Sequence, residues 1–137
     1  MTRFATHLIH ANVLVDVVER SPQFAASSAA TLVPLLMDGA AAINQIVYAE
    51  VLAGLDREAD FATAFGDDLV RLDLPWEAAW HAGQAHRRYR QRGGAKASPM
   101  PDFYIGAHAL ISGLTLVTRD ATRYETYFPT LNVVTPG

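Results

Sequence analysis

Cysteine is absent from the sequence, and lysine occurs once, at Lys96, so arginine supplies every other side-chain cation. Without thiols there are no disulfides and no thiolate metal sites, which suits a chain kept in a reducing cytosol. Charged residues make up only 18% of the chain and the formal net charge is −3. That balance excludes a generally basic nucleic-acid binder, while leaving room for a local cationic patch or for a metal ion offsetting clustered acids. Long apolar runs are missing as well. The first apolar stretch follows one early cation, Arg3, and is broken by His7, His10, Asn12 and Asp16. It matches neither a signal-peptide core nor the ~20 apolar residues that span a bilayer. A soluble, cytoplasmic protein is expected.

What is present is a hydrophobic fraction of 50% in 137 residues, the usual size of one domain. A core at that length buries roughly two-thirds of the unfolded surface without staples. Phe4 to Ile9 reads as a buried strand. Asn12, a good N-cap residue, opens a helix striped with Val13, Leu14, Val17 and Val18. Ser21-Pro22 caps a second helix that runs to Met37 and stops at Asp38-Gly39. Residues 40–44 are a strand, and from Gln45 a helix carries Ile46, Val47, Val51 and Leu55 with Glu50 among them. Residues 57–68 form a helix with Phe61 and Phe65 four apart. A strand over 69–74 precedes Pro75, which begins a long helix through Trp76 and Trp80 to Arg92; that tryptophan spacing points to core or interface packing. Residues 93–100 make a loop, and Pro101-Asp102 opens a helix with Ile105, Ala109 and Leu110 turned inward, ended by Gly113. Strand 114–118, a short helix from Asp120 to Tyr127 and strand 131–134 complete the chain.

Strands alternating with helices predict an α/β fold, a central parallel sheet of four to five short strands flanked by helices in three layers, as one domain over 1–137. Right-handed crossovers bring the C-terminal strand ends to one edge. Four residues belong there by position. His10 follows the first strand, Glu50 lies in the helix after the second, Asp102 begins the helix after the loop, and Asp120 follows the fourth strand. Each has a plainer reading. Asp102 suits a helix start, Asp120 an N-cap, and only Glu50, among apolar neighbours, resists dismissal. Together, carboxylates short of cations repel one another unless a divalent ion binds, and oxygen donors favour Mg²⁺ or Mn²⁺. Such an ion polarises a phosphodiester, so phosphodiester hydrolysis is the expected reaction class.

The segments LIHANVLVDV from Leu8, YAEVLAG from Tyr48, PDFYIGAHAL from Pro101 and LTLVTRD from Leu114 resemble, in order and spacing, the four signature blocks of the PIN domain, most closely in VapC toxins of bacterial type II toxin–antitoxin modules. The resemblance implies a Mg²⁺- or Mn²⁺-dependent ribonuclease in which Glu50, Asp102 and Asp120 match the second, third and fourth acids and Asn12 the first-block asparagine. Thr118 would support the site. The first Asp is replaced by His10. Imidazole suits Mn²⁺ or Zn²⁺ better than Mg²⁺, and a cationic ring among three acids takes the ion's place electrostatically. The expectation is weak Mg²⁺ binding and weak or absent cleavage, the alternative being a catalytically dead PIN-fold module that engages an antitoxin. The resemblance further implies that apolar helices within residues 12–38 form a groove for the antitoxin's C-terminal segment, and that the toxin forms a homodimer.

Arg87, Arg88, Arg90 and Arg92 surround Tyr89 and could grip RNA phosphates with the ring stacked on a base, or simply complement a helix C-terminus. His81, His86 and His108 have no partner at metal-ligand spacing. A phosphoacceptor receiver domain is disfavoured, because it needs an early acid pair and a lysine after a late strand, whereas Lys96 falls in the predicted loop.

Overall fold

Leu8 and Ile9, Ala41 and Ala42, and Leu116 and Val117 are neighbours in sequence that point to opposite sides of their strands, and all six are fully buried. Both faces of the sheet are therefore covered, as the near-continuous apolar runs predict. In the computed structural model, which describes residues 4–94 and 99–137, the order is β1 His7–Ile9, α1 Ala11–Val18, α2 Ala25–Met37, β2 Ala41–Ile43, α3 Gln45–Leu52, α4 Ala59–Phe65, β3 Val70–Arg71, α5 Ala78–Gln91, α6 Met100–Ile111, β4 Thr115–Val117, α7 Ala121–Tyr127 and β5 Val133–Val134. Arg3, Lys96 and the centre of the 93–100 loop lie outside the described residues. The sheet is parallel throughout, in the order β3-β2-β1-β4-β5. The fold is the three-layer α/β arrangement anticipated.

The strands are shorter than predicted. Phe4 is 75% exposed, and Thr6 and His7 both donate to the Ala40 carbonyl, so regular pairing begins only at His7. The third strand, expected over 69–74, keeps Val70–Arg71, because the Leu74 amide is taken by the Gln45 side chain and the chain peels away. The second, fourth and fifth lose one or two residues from their expected ends.

Helix starts also moved. The N-cap of α1 is His10 rather than Asn12, which lies one position inside the helix and turns its side chain to β4. Ser21 accepts from the Phe24 amide, holding a turn ahead of α2 instead of capping it. The predicted 57–68 helix is confined to Ala59–Phe65, with the Phe61 and Phe65 rings in contact at 5.0 Å. Pro75 precedes α5 by a turn, and Trp76 and Trp80 are 92% and 68% exposed, which removes the core and leaves the interface of the two readings their spacing allowed. Gly113 ends α6 as expected, at φ 66°, where a side chain would be strained.

Strand order places the site. The chain builds outward from β1 through β2 to β3, then returns to the other side of β1 with β4 and β5. The order reverses between β1 and β4, the switch point where ligands bind in open parallel sheets. Ile9 pairs with Val117, and the His10 amide donates to the Val117 carbonyl at 2.9 Å, so the residues leaving the two strands start side by side.

Candidate active site

Thr118, fully buried, organises the gap between β1 and β4. Its Oγ1 accepts from the Asp120 amide at 3.0 Å and from Asn12 Nδ2 at 3.4 Å. With both lone pairs engaged, its proton is left to donate to His10 Nδ1 at 2.7 Å. That assigns the imidazole as the Nε2–H tautomer, and Nε2 meets Asp102 Oδ1 at 3.2 Å. Replacing the expected carboxylate by imidazole therefore puts a hydrogen-bond donor against Asp102.

Asp102 sits in the first turn of α6, and its second oxygen is held by Arg123 Nη1 of α7 at 2.5 Å. Burial by itself raises the Asp102 carboxyl, but the hydrogen bonds and charges of His10 and Arg123 outweigh it and hold the group below the ordinary carboxylate value. Glu50 projects from α3 with no such partner among the described residues. Partial burial pushes it up, only partly offset by His10, with the Asp102 charge adding to the rise.

One ligand atom each from His10, Glu50 and Asp102 lie within 4.8 Å of one another. Asp120 stands outside that trio. It occupies the N-cap position of α7 without making a side-chain capping bond, and its carboxylate faces Arg123 at 3.8 Å. Asn12 reaches Thr118 and also accepts from the Arg119 amide, joining the ends of β1 and β4. The structure thus gathers His10, Glu50, Asp102, Asn12 and Thr118, with Asp120 at the rim.

Tyr124, fully buried, lies beneath the trio with its ring edge-on to His10, and its hydroxyl has no hydrogen-bond partner among the described residues. Burial, then the charges of Asp102 and Asp120, push its ionisation far above the ordinary tyrosine value. The ring is seated because Gly106 of α6 has no side chain: a Cβ there would come within 3.0 Å of Tyr124 and 2.7 Å of Phe128.

The donor set tests whether a divalent ion fits. The spacing suits a small ion, and one imidazole nitrogen with two carboxylates matches Mn²⁺ better than Mg²⁺. Yet both Asp102 oxygens are engaged, by His10 and by Arg123. The residues fit an imidazole-tolerant ion once Arg123 has left Asp102 and His10 Nε2 has given up its proton, and fit Mg²⁺ poorly.

The arginine cluster of α5 is more anchored than its sequence suggested. Arg88 donates to the Tyr127 carbonyl at 2.8 Å, and the Tyr89 ring, for which base stacking was one of two readings, packs against Phe103 and Tyr127. Arg87 stays exposed. Sequence reasoning passed over Arg123 and Tyr124; the i,i+3 spacing from Asp120 was the available signal for Arg123. No helix among the described residues is long and apolar enough to cross a membrane.

The sequence matches the family described as PIN domain over residues 8–129. Among curated proteins none matches. Solved structures with the same fold include VapBC2 from Rickettsia felis bound to a promoter DNA fragment, at TM-score 0.72 and 21% identity over 95% of this chain and 98% of that one. DNA-bound VapBC from Salmonella typhimurium gives TM-score 0.73 and 20% identity over 97% and 99%. A toxin–antitoxin complex from Klebsiella pneumoniae gives 0.69 and 22% over 96% and 98%.

Proposed function

This chain is a member of the PIN domain family, and on that premise we propose that it is a cytoplasmic VapC-type endoribonuclease toxin, hydrolysing RNA phosphodiester bonds, whose activity His10 weakens. In this reading Glu50, Asp102 and Asp120 are the carboxylates that hold Mg²⁺ or Mn²⁺, with His10 a poor ligand at the first position and Asn12 and Thr118 bracing it. The ion, when bound, supplies Lewis-acid stabilisation of charge on the phosphodiester. Asp102 orients at the edge of the α6 N-terminus, where the macrodipole favours its charge. Arg87 and Arg88 contribute phosphate contacts at the periphery.

The observation that carries the weakening is the His10–Asp102 hydrogen bond. A carboxylate at position 10 would add a charge to the metal's demand, whereas the imidazole consumes a donor atom already present. The same bond, with Arg123 on the other oxygen, supports a second reading, a catalytically silent PIN module retained to bind an antitoxin. The partner in either case is a cognate antitoxin whose C-terminal segment lies along α1 and α2, where Val33 and Met37 are exposed, and the toxin itself pairs as a homodimer.

His10→Asp, assayed for cleavage of single-stranded RNA in Mg²⁺, separates the readings. The expected result is a gain of at least about tenfold over the parent, the scale on which metal-site environment sets activity. A revertant no more active than the parent sinks the account of the site. An active revertant beside a fully inert parent leaves the binding module as the present function.

A further inference from the structure

Arg123 is the cation at the centre of the acidic edge, and nothing in the pattern of strands and acids required one there. Its guanidinium bonds Asp102 Oδ2 and stands 3.8 Å from Asp120, so it bridges two of the acids expected to hold an ion. It approaches from α7, two-thirds shielded yet reaching solvent at the rim, with 34% of its side chain exposed. An ammonium would offer a point charge; a guanidinium on Asp102 keeps further N–H donors free on the same plane for a second oxyanion. Carboxylates alone would repel a phosphodiester, so a strand lying at this edge needs a cation beside the acids.

We propose that Arg123 is a positioning residue with two alternating partners: it neutralises Asp102 and Asp120 while no divalent ion is bound, and it turns to a phosphate of the RNA strand when an ion takes those carboxylates. The inference rests on the RNA-cleaving reading for its substrate. It sets two binding events against each other. Metal entry must displace Arg123 from Asp102, which lowers apparent ion affinity, while the same side chain strengthens attachment of the nucleic acid.

Replacing Arg123 by Gln in the full chain therefore moves two measurements in opposite directions. Mn²⁺ affinity, followed by the electron paramagnetic resonance of free Mn²⁺ without RNA, should rise about tenfold, within the range that groups bonded to ligands command. Binding of a cleavage-resistant 2′-O-methyl single-stranded oligoribonucleotide in saturating Mn²⁺ should weaken, and its log–log salt slope should fall by about 0.7, one phosphate contact fewer. Arg123→Lys should keep most of the salt slope. A role confined to anchoring α7 would lower both affinities together, and that outcome overturns the proposal, as does Mn²⁺ binding that is unchanged or weaker in Arg123→Gln. If Arg123→Gln leaves RNA binding in Mn²⁺ and its salt slope unchanged, the phosphate half of the proposal falls. The His10→Asp cleavage assay in Mg²⁺ tests the RNA-cleaving reading on its own, so its failure and the failure of this proposal remain distinct.

Discussion

Two aspartate–arginine pairs sit close together in this protein and differ in what surrounds them. Asp16 of α1 is 4% exposed, and its carboxylate takes Arg119 Nε at 2.6 Å, Arg119 Nη2 at 2.9 Å and the Ser28 hydroxyl at 2.8 Å. The guanidinium lies 4.0 Å over the Phe24 ring. That pair joins α1, α2 and the segment after β4, with both Asp16 oxygens bonded and no other acid paired to Arg119 among the described residues. Asp102 and Arg123 also pair, but at an open edge beside Glu50 and Asp120. A charge pair enclosed by its own partners acts as a rivet. The same pair among surplus carboxylates is one arrangement of a site that has others.

Stability measurements should separate them. Asp16→Asn leaves the Arg119 charge without its forked acceptor, and urea unfolding should show a loss of about 3 kcal/mol, the scale for breaking a buried pair. Asp102→Asn removes an acid from a repelling group as well as a partner from His10 and Arg123, and should cost about 1 kcal/mol or less. Equal losses would erase the distinction between rivet and site.

A pH titration of unfolding sharpens it further. Asn44 accepts from the Val47 amide through Oδ1, so its amide nitrogen donates to His108 Nδ1 at 3.0 Å, which must be unprotonated. Burial accordingly lowers His108 from its ordinary value of 6.5, and His7 shifts the same way for the same cause. Below that ordinary value the unfolded chain gains a proton that the folded one resists. The contribution is present above it and declines as pH falls toward the folded values. His108→Gln should flatten stability between about pH 5 and 7. A slope unchanged by that substitution would show that the Asn44–His108 pair does not set it.

The smallest effect is expected on α5. Arg87→Ala should lower the salt slope of RNA binding by at most about 0.7, and Arg88→Ala should mainly loosen the contact with Tyr127. A larger change from Arg87 than from Arg123 would move the nucleic-acid path away from the acidic edge.

The elements were legible because their signals are local. Apolar runs marked the strands, the 3.6-residue period and glycine stops marked the helices, and alternation made the sheet parallel. His10, Glu50, Asp102 and Asp120 could be assigned to one edge by counting from strand ends, and the boundaries around them shifted by a residue or so without moving them off that edge. For Trp76 and Trp80, four-residue spacing specifies a shared helical face and not which face is covered, and of the two readings, core or interface, their exposure removes the core. Asn12 suits a cap by residue type, but Thr118, distant in sequence, claims its side chain.

Composition and periodicity by themselves thus determined a parallel α/β chain with acids at the carboxyl edge and a histidine among them. Only the tertiary structure decided what each polar atom meets. It turned His10 Nε2 toward Asp102, brought Arg123 across to the other oxygen, and buried Asp16 against Arg119. Secondary structure follows from neighbours within a turn or two, whereas hydrogen bonds and ion pairs act over about 3 Å between residues far apart in sequence. Which acid is riveted and which is exchangeable is settled at that distance alone.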